Sequence, residues 1–368
     1  MKRSLAIVLS VIFAAVLVLS ACGKKESPAA SSPAAGGTAS SSAAADAGDK
    51  VKPIVVGVSN GYIGNGWRTQ MTEDIEKLAE QYKQQGWIEK IIVQHAGQDV
   101  NNQIAQIRNM INSKVDLLLI DPNSETALNP VIEEAVKKGI TVITFDQPVT
   151  SPKAINVVID QVQFGKNLAE WFVDAVGGKG DIVIVSGLAG ASANVNRLKG
   201  MKEVLGRYPD IKVLTEVNGN WDEANAQQVT SNLIASYPKI DGVLTQDGMA
   251  LGVVNAFLAA NKPLPVITGE NNVAFLKKWK ELKDSQQFST YGQNNPPGIG
   301  ATALGIGVRM LQGKTSKLNL QNNTYYYPIG THIKNDTLEA ELKKVADKPD
   351  TYTLDEWLSE EQLNALFE

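Results

Sequence analysis

Cysteine and histidine are scarce in this sequence, and each shortage excludes a class of protein. Cys22 is the only cysteine among 368 residues, so no disulfide can form within the chain. The two histidines, His95 and His332, are far apart, and neither has the spacing of a metal site. We therefore expect no disulfide framework and no bound metal, and both histidines should occupy surface or ordinary core positions.

The chain also lacks a strong charge of either sign. Its 35 Lys and Arg residues against 39 Asp and Glu residues give a net charge of −4, which does not favour a nucleic-acid partner. Hydrophobic residues make up 43% of the 368 positions, so the chain is expected to be globular and is long enough for two domains.

Recognisable nucleotide-binding and catalytic motifs are missing. The sequence contains no G-x-x-x-x-G-K-[ST] loop and no G-x-S-x-G elbow. Residues 298–303 match the G-x-G-x-x-A form of the dinucleotide fingerprint, but two prolines precede them instead of a clean strand-to-helix turn. Because small residues continue through Gly305 and Gly307, this segment indicates a tightly packed helix. We predict no cofactor and no enzymatic activity.

The first 21 residues have the charged, apolar and small-residue order of an export signal. Residues 19–22, Leu-Ser-Ala-Cys, resemble the bacterial lipobox, in which cleavage precedes the cysteine and its sulfur receives a diacylglyceryl group. We therefore expect a signal peptide at 1–21 and lipidation of Cys22. The protein would then be anchored to the bacterial cell membrane outside the cytoplasm, on the extracellular face or in the periplasm. The alternative is an ordinary cleaved signal that contains a cysteine.

Residues 22–50 are rich in Ser, Ala, Gly and Pro and contain almost no large apolar side chain. Such a segment cannot bury enough surface to offset the entropy of ordering. We interpret it as a flexible tether, and a plain spacer is equally compatible with the composition.

From residue 52 on, short β-branched runs alternate with helical patterns, which predicts βαβ units. The first series has strands at 54–58, 91–94, 117–120 and 142–145, with helices near 69–84, 100–113 and 130–138. The second has strands at 182–186, 213–217, 243–246 and 266–268, with helices near 196–208, 223–236, 249–260 and 273–282. The predicted fold class is therefore α/β, with two doubly wound parallel-sheet domains.

Polar and aromatic residues follow nearly every predicted strand, at the sheet edge where ligands of α/β proteins bind. Planar polar groups bond adjacent sugar hydroxyls in pairs, and flat aromatic rings stack on the C–H face of a sugar ring. A helix cap or a solvated loop residue is the ordinary alternative for any one of them, but their recurrence favours a binding cleft. The candidates are Asn65, Trp67, Arg68, Asp146, Gln147, Asn194, Arg197, Trp221, Gln246, Asp247, Glu270 and Gln293, with Asn196, Asp222 and Asn271 in the same loops.

Four segments carry a family resemblance. Residues 57–69 resemble the opening of galactofuranose receptors, and residues 187–192 with Arg197 and Gly200 form a second segment. Residues 247–252 are similar to an Asp-x-Met-Ala-x-Gly segment, and Gln293 stands in a hinge-side glutamine position. Together, residues 53–327 resemble the type I periplasmic binding proteins that deliver sugars to ABC importers, the ribose- and galactofuranose-binding group.

The resemblance implies a role for each matched position. Acidic and basic side chains would bond the hydroxyls, indoles would stack on the sugar ring, and one residue would contact the ligand from the hinge. These would be the acceptors Asp146 and Glu270, the paired donor Arg197, the polar contact Asn65, the stacking faces Trp67 and Trp221, and the hinge contact Gln293.

The sequence also departs from the ribose receptors. Those proteins have an arginine directly after the aspartate that corresponds to Asp146, whereas this chain has Gln147. Gln246 replaces an asparagine and Glu270 replaces an aspartate, while Arg68 would supply the missing cation of the first domain. The resemblance therefore favours a sugar or polyol other than ribose itself.

The resemblance further implies three interdomain crossings, near 159–160, 293–294 and 323–326. The first domain would comprise 51–159 and 294–323, and the second 160–293 and 324–335. Residues 336–368 are expected to form a helical extension packed onto a domain, with periodicity at 338–345 and 354–367; the alternative is a partly mobile tail. A ligand that bridges the domains would favour the closed form.

The expected protein is a monomeric, lipid-anchored receptor that captures a monosaccharide or related polyol and passes it to an ABC importer permease. An alternative of another class is a co-receptor that binds a sugar-like signal and docks on a histidine kinase or chemoreceptor. A ligand-responsive transcriptional regulator would need a helix-turn-helix before the first strand, where this chain has an export signal and a tether.

Overall fold

The computed structural model describes residues 52–355 and 357–368. The predicted signal peptide, the lipidation site Cys22 and the tether lie outside the described residues, so those three expectations stay predictions. No helix in the described part of the chain has both the length and the apolar character needed to cross a bilayer.

The described residues alternate between strands and helices along most of their length. The strands are β1 (Ile54–Asn60), β2 (Ile88–His95), β3 (Leu117–Asp121), β4 (Thr141–Phe145), β5 (Ile155–Val158), β6 (Gly180–Ser186), β7 (Ile211–Asn218), β8 (Gly242–Thr245), β9 (Val266–Ile267) and β10 (Thr324–Tyr326). The helices are α1 (Gly66–Gln84), α2 (Val100–Asn112), α3 (Asn129–Lys137), α4 (Gln161–Ala175), α5 (Ser192–Leu205), α6 (Glu223–Ser236), α7 (Ala250–Ala259), α8 (Val273–Gln286), α9 (Ile299–Leu311), α10 (Leu338–Lys344) and α11 (Glu360–Ala365).

The first lobe is a six-stranded parallel sheet in the order β10-β5-β4-β3-β1-β2, with helices on both faces. Helices α1 and α9 pack together over one face, and α2 and α3 cover the other. Every residue of β3 is buried, as a central strand of a parallel sheet covered on both faces requires. This arrangement places the carboxyl ends of β1, β3 and β4 along one edge.

The second lobe is a four-stranded parallel sheet in the order β7-β6-β8-β9. Helices α4 and α5 pack together on one face, and α6 and α7 pair on the other. Gly165 of α4 lies against the main chain of Arg197 in α5, where a β-carbon would collide with the carbonyl oxygen. The close approach of these two helices therefore fixes the position from which the Arg197 side chain projects.

The predicted fold class is confirmed, with two parallel α/β sheets linked by three crossings of the chain. The first crossing runs from β5 to α4, and the second lies between Gly292, which pairs with Ile333 in the second lobe, and the start of α9. The strand β5 and the helix α4 were not predicted as separate elements.

The third crossing differs from the prediction. Residues 324–335 were assigned to the second domain, but Thr324–Tyr326 pair with Asn156–Val158 of β5 as the edge strand of the first sheet. The chain reaches the second lobe by Ile333, which pairs with Gly292. Pairing with β5 satisfies the backbone groups of β10, which explains why these residues stay in the first lobe.

The C-terminal extension packs on both lobes, rather than on one domain as expected. Helix α10 lies against α8 of the second lobe, whereas α11 lies against α9 of the first. The buried Arg309 of α9 forms an ion pair of 2.7 Å with Glu360, and the Tyr82 hydroxyl donates to the same carboxylate at 2.6 Å. The second predicted helix of the extension is shorter than its pattern and spans only Glu360–Ala365.

Candidate functional site

A cavity of about 390 Å³ lies between the two lobes, bordered by loops that follow strands of both sheets and by part of the C-terminal extension. Its size is that of a small-molecule site. We call it the cleft. Eight of the twelve predicted site residues line it, namely Asn65, Trp67, Arg68, Asp146, Arg197, Trp221, Asp247 and Glu270.

Arg68 is the central cation of the first-lobe wall. Asn65 caps α1 and accepts a hydrogen bond from the Arg68 main-chain nitrogen at 3.0 Å, which fixes where the arginine side chain begins. The guanidinium forms an ion pair with Asp121, donates to Asn60 Oδ1 at 3.0 Å and lies 3.7 Å from an oxygen of Asp146. Arg68 is therefore buried with its charge balanced by two carboxylates.

Asp146 lies at the carboxyl end of β4, in a left-handed backbone conformation with φ of 63°. Burial raises the pKa of its carboxyl, while the nearby charge of Arg68 and a hydrogen bond from Asn295 oppose that shift. A non-glycine residue in this region of φ is strained, and such strain concentrates at binding and catalytic sites. The position of Asp146 at the cleft is consistent with a binding role.

Two aromatic rings complete the first-lobe wall. The Trp67 indole nitrogen donates a hydrogen bond to the main-chain oxygen of Asn295 at 2.6 Å, which orients the ring at the cleft. The Tyr62 ring lies 4.4 Å from the guanidinium carbon of Arg68, within cation–π range. Tyr62 was absent from the predicted residues, although it belongs to the same loop as Trp67.

Arg197 of α5 is the corresponding cation of the second lobe. Its Nε donates to Gln161 at 2.7 Å and its Nη1 to Gln246 at 3.1 Å, and the guanidinium forms an ion pair with Asp247. The Phe164 ring lies 4.1 Å from the guanidinium carbon. With 2% of its surface exposed, Arg197 is held rigidly on all sides except the one that faces the cleft.

Gln246 and Asn194 lie behind the cleft lining instead of within it. The Gln246 side chain accepts hydrogen bonds from Arg197 and from the Trp221 indole at 2.9 Å, and donates to Asn194 at 2.8 Å. Asn194 also accepts from the Gly187 main-chain nitrogen at 2.7 Å. These two predicted residues therefore position the side chains that reach the cleft.

Trp221 presents the second indole of the cleft. Its backbone has φ of 55°, an unusual value for a bulky residue, and its ring packs directly over Gly187. A side chain at Gly187 would occupy the space that the indole fills. The glycine after β6 thus leaves the space that the aromatic ring occupies.

Glu270 is a buried carboxylate with one oxygen free to accept. Its Oε1 accepts from the Leu251 main-chain nitrogen at 3.2 Å in the first turn of α7, whereas Oε2 has no hydrogen-bond partner among the described residues. Burial raises the pKa of Glu270 to about 7. Buried polar atoms are normally satisfied, so the free oxygen favours a ligand hydroxyl as its partner.

Asn295 reaches both lobes from the hinge and was missed by the sequence analysis. Its amide nitrogen donates to Asp146 at 2.6 Å, and its main-chain nitrogen donates to Asp247 at 3.3 Å. Gln293, the predicted hinge contact, instead accepts from Asn167 at 3.0 Å and donates to the Phe164 carbonyl at 3.1 Å, so it anchors α4 outside the cleft lining. The amide run directly after Gln293 was the available signal for Asn295.

Gln147 also lies outside the cleft lining. Its Oε1 accepts a hydrogen bond from the Ser192 hydroxyl of α5 at 3.2 Å, and so joins the first lobe to the second. Both histidines lie outside the lining as well. Among the described residues, no cluster of three or more His, Cys, Asp or Glu side chains could hold a metal ion.

The cleft thus combines two indoles, two guanidiniums and a larger number of carboxylates. Its acidic lining residues are Asp146, Asp222, Glu223, Asp247, Glu270 and Asp350, against the two arginines Arg68 and Arg197. Carboxylates accept from hydroxyls, guanidiniums donate in a fixed fork, and indoles offer a flat apolar face. Such a set can bind an uncharged ligand that has several hydroxyl groups and an apolar C–H face.

Comparison with known proteins agrees with this chemistry. Residues 56–315 match the family of periplasmic binding protein domains. A xylitol-binding protein of Mycolicibacterium smegmatis is 36% identical over 187 residues, a match that spans 50% of this chain but only 54% of that protein. The ribose import binding protein of Bacillus subtilis is 28% identical over 272 residues, which span 73% of this chain and 85% of that protein.

A solved structure gives the same result for the fold. An ABC transporter solute binding protein from Thermobispora bispora superposes with a TM-score of 0.77 at 29% identity, over 85% of this chain and 94% of that chain. The family match extends over well more than half of the chain, and the resemblance found in the sequence is thereby confirmed. The chain belongs to the family of periplasmic binding protein domains.

Proposed function

We propose that the protein is a lipid-anchored solute receptor that captures a monosaccharide or related polyol in the cleft and delivers it to an ABC importer permease. The observation that carries the proposal is that two indoles, Trp67 and Trp221, and two buried arginines from opposite lobes, Arg68 and Arg197, border one cavity. Each arginine is held by an ion pair, Arg68 with Asp121 and Arg197 with Asp247. Ring stacking and paired hydrogen bonds are the two contacts that sugars require.

The names of the relatives support the ligand class. One relative is named for xylitol and another for ribose import, and the two ligands share only their hydroxyl groups and carbon chain. The cleft has Glu270 where the resemblance expects an aspartate, and Gln147, which replaces an arginine of the ribose receptors, lies outside the lining and accepts from Ser192. Since the first-lobe cation of the cleft is Arg68 instead, we infer a sugar or polyol other than ribose.

Anchoring and delivery rest on the sequence and on the relatives. The Leu-Ser-Ala-Cys segment before Gly23 supports acylation of Cys22, and residues 22–50 would then give the lobes reach from the membrane. The import role named for the relative of Bacillus subtilis supports a permease as the partner. We infer that the receptor acts as a monomer and that closure on the ligand creates the surface that the permease recognises.

A thermal-shift screen tests the ligand class. The mature chain carrying Cys22→Ser, which blocks acylation, would be heated with pentoses, hexoses, pentitols, inositols, nucleosides and amino acids. A ligand that binds the folded state raises the melting temperature by mass action. We expect a sugar or polyol to give the largest shift. A shift with a nucleoside or an amino acid and none with any sugar would overturn the assignment.

Acylation is tested separately in cells. Metabolic labelling with an alkyne fatty acid should tag the wild-type protein and leave Cys22→Ser untagged, and only the wild type should remain in the membrane fraction. Equal labelling of both proteins would contradict lipidation at Cys22.

A further inference from the structure

The chain after α10 runs along one side of the cleft, and we call residues 350–354 the strap. The strap pairs with the residues that lead into α8 of the second lobe, and Thr353 forms an antiparallel bridge with Asn272. Three main-chain hydrogen bonds fix it there: Val273 N to Tyr352 O at 2.8 Å, Ala274 N to Asp350 O at 3.0 Å, and Leu354 N to Asn271 O at 2.9 Å.

Gln70 of α1 holds the same strap from the first lobe. Its Nε2 donates to the Thr353 carbonyl at 2.9 Å, and its Oε1 accepts from the Thr353 main-chain nitrogen at 2.8 Å. Both residues are buried, with 6% and 8% of their surfaces exposed. The carboxamide therefore satisfies both polar groups of one strap residue, as a neighbouring strand would.

Beyond the strap, the chain continues onto the first lobe. Asp355 accepts from the Gly298 main-chain nitrogen at 2.8 Å, just before α9 begins. The Leu358 main-chain nitrogen donates to the Thr302 hydroxyl at 3.1 Å, and α11 then packs on α9. The extension is thus a fourth connection between the lobes, in addition to the three crossings of the hinge.

The strap is also part of the cleft wall, because Asp350, Thr351 and Thr353 border the cavity. On the first-lobe side it meets the loop before α1, where the Thr351 carbonyl lies 3.1 Å from the position that a β-carbon on Gly66 would occupy. The two lobes therefore meet at the strap as well as at the hinge.

We propose that the paired hydrogen bonds between Gln70 and Thr353 act as a clasp that limits how far the lobes separate. In a hinge motion Gln70 moves with the first lobe, whereas Thr353 is held to the second lobe by three neighbouring main-chain bonds. Opening the cleft must therefore break the two bonds made by Gln70. The clasp favours the closed arrangement with or without ligand, and it slows ligand release.

Small-angle scattering of the ligand-free protein tests the clasp directly. We expect Gln70→Ala to have a larger radius of gyration than the wild type. Gln70→Glu should also have a larger radius of gyration, because a carboxylate oxygen would then face the Thr353 carbonyl and repel it. The matched control is Gln81→Ala, an exposed glutamine on the same helix, which should leave the radius unchanged.

Circular dichroism checks that each variant is folded. Folded Gln70 variants with the radius of the wild type would overturn the proposal. Loss of folding in both Gln70→Ala and Gln70→Glu would also overturn it, since Gln70 would then be required for the fold itself rather than for the spacing of the lobes.

Ligand kinetics test the effect on release, and this part rests on the proposed function. Stopped-flow tryptophan fluorescence with xylitol and D-ribose as probes should show dissociation from Gln70→Ala about tenfold faster than from the wild type, as two lost hydrogen bonds would give. The dissociation rate of the Gln81→Ala control should stay unchanged. An unchanged dissociation rate would contradict the clasp. If neither probe binds the wild type, the proposed ligand class is weakened, while the scattering result still decides the clasp.

Discussion

The side-chain amide of Asn295 donates a hydrogen bond of 2.6 Å to the carboxylate of Asp146, and so ties the hinge to the first-lobe wall of the cleft. The main-chain nitrogen of Asn295 also bonds Asp247 of the second lobe. One hinge residue therefore orients a carboxylate on each side of the ligand space.

Asn295→Ala is expected to weaken ligand binding by at least tenfold. The variant leaves the buried Asp146 without its amide donor, and hydrogen bonds to charged groups contribute about 1.5–3 kcal/mol. Isothermal titration with the ligand found by thermal shift measures the affinity. Asn232→Ala, on the exposed side of α6, is the control and should bind as the wild type does. Equal affinities for the Asn295 and Asn232 variants would remove Asn295 from the site.

Gln293→Ala should lower the stability of the protein and leave its affinity for the ligand nearly unchanged. The Gln293 side chain bonds Asn167 and the Phe164 carbonyl of α4 and does not line the cleft, so its loss removes two hydrogen bonds that anchor α4. We expect urea unfolding to show that the free energy of unfolding falls by about 1–3 kcal/mol, while the affinity for the ligand stays within a few-fold of the wild type. A large loss of affinity with unchanged stability would restore Gln293 as a ligand contact.

Gly187→Ala should mimic the loss of Trp221. The added methyl group would occupy the space of the indole, so the ring would be displaced from its position at the cleft. We expect both Gly187→Ala and Trp221→Ala to abolish most binding. Trp221→Phe, which keeps a flat ring but loses the hydrogen bond to Gln246, should bind with intermediate affinity. If Gly187→Ala bound as tightly as the wild type, the indole would not be the stacking face.

Stability should depend on pH through Glu270, whose pKa is raised to about 7. Between its usual pKa near 4.5 and about 7, the folded state binds more protons than the unfolded state. Stability therefore falls as the pH rises through this window. Glu270→Gln removes the titration. From pH 5 to pH 8 the free energy of unfolding of the variant should therefore rise by roughly 1–3 kcal/mol relative to that of the wild type.

Urea unfolding at pH 5 and at pH 8 measures that difference for Glu270→Gln. The control is Gln81→Ala, an exposed and non-titrating position of α1, whose stability relative to the wild type should be the same at both pH values. A Glu270→Gln variant with no greater relative stability at pH 8 than at pH 5 would contradict the raised pKa.

The fold was largely predictable because periodicity and strand composition are local properties. The valine- and leucine-rich runs of β1 and β3 were recognised from their own residues. The four residues of β5 were missed because so short a run, close behind Pro152, does not differ from a loop. Such a strand is stabilised by its neighbours in the sheet.

The site was predictable only to the level of its loops. Gln246 and Asp247 are adjacent in sequence, yet Asp247 lines the cleft and Gln246 lies behind it, which depends on the direction each side chain takes. The Gln70 side chain contacts Thr353, which is 283 positions away in sequence. It bonds the main-chain atoms of Thr353, and because every residue has such atoms, no sequence pattern marks the contact. Contacts of this kind become visible only once the chain is folded.

Carboxylates outnumber guanidiniums around the cleft, and this excess of acidic groups disfavours the binding of negatively charged sugars. Six acidic residues face two arginines there, and both arginines already carry partners in Asp121 and Asp247. A uronic acid or a sugar phosphate would bring further negative charge into this field and be repelled. The cleft is therefore expected to bind uncharged sugars or polyols in preference to phosphorylated or carboxylated ones.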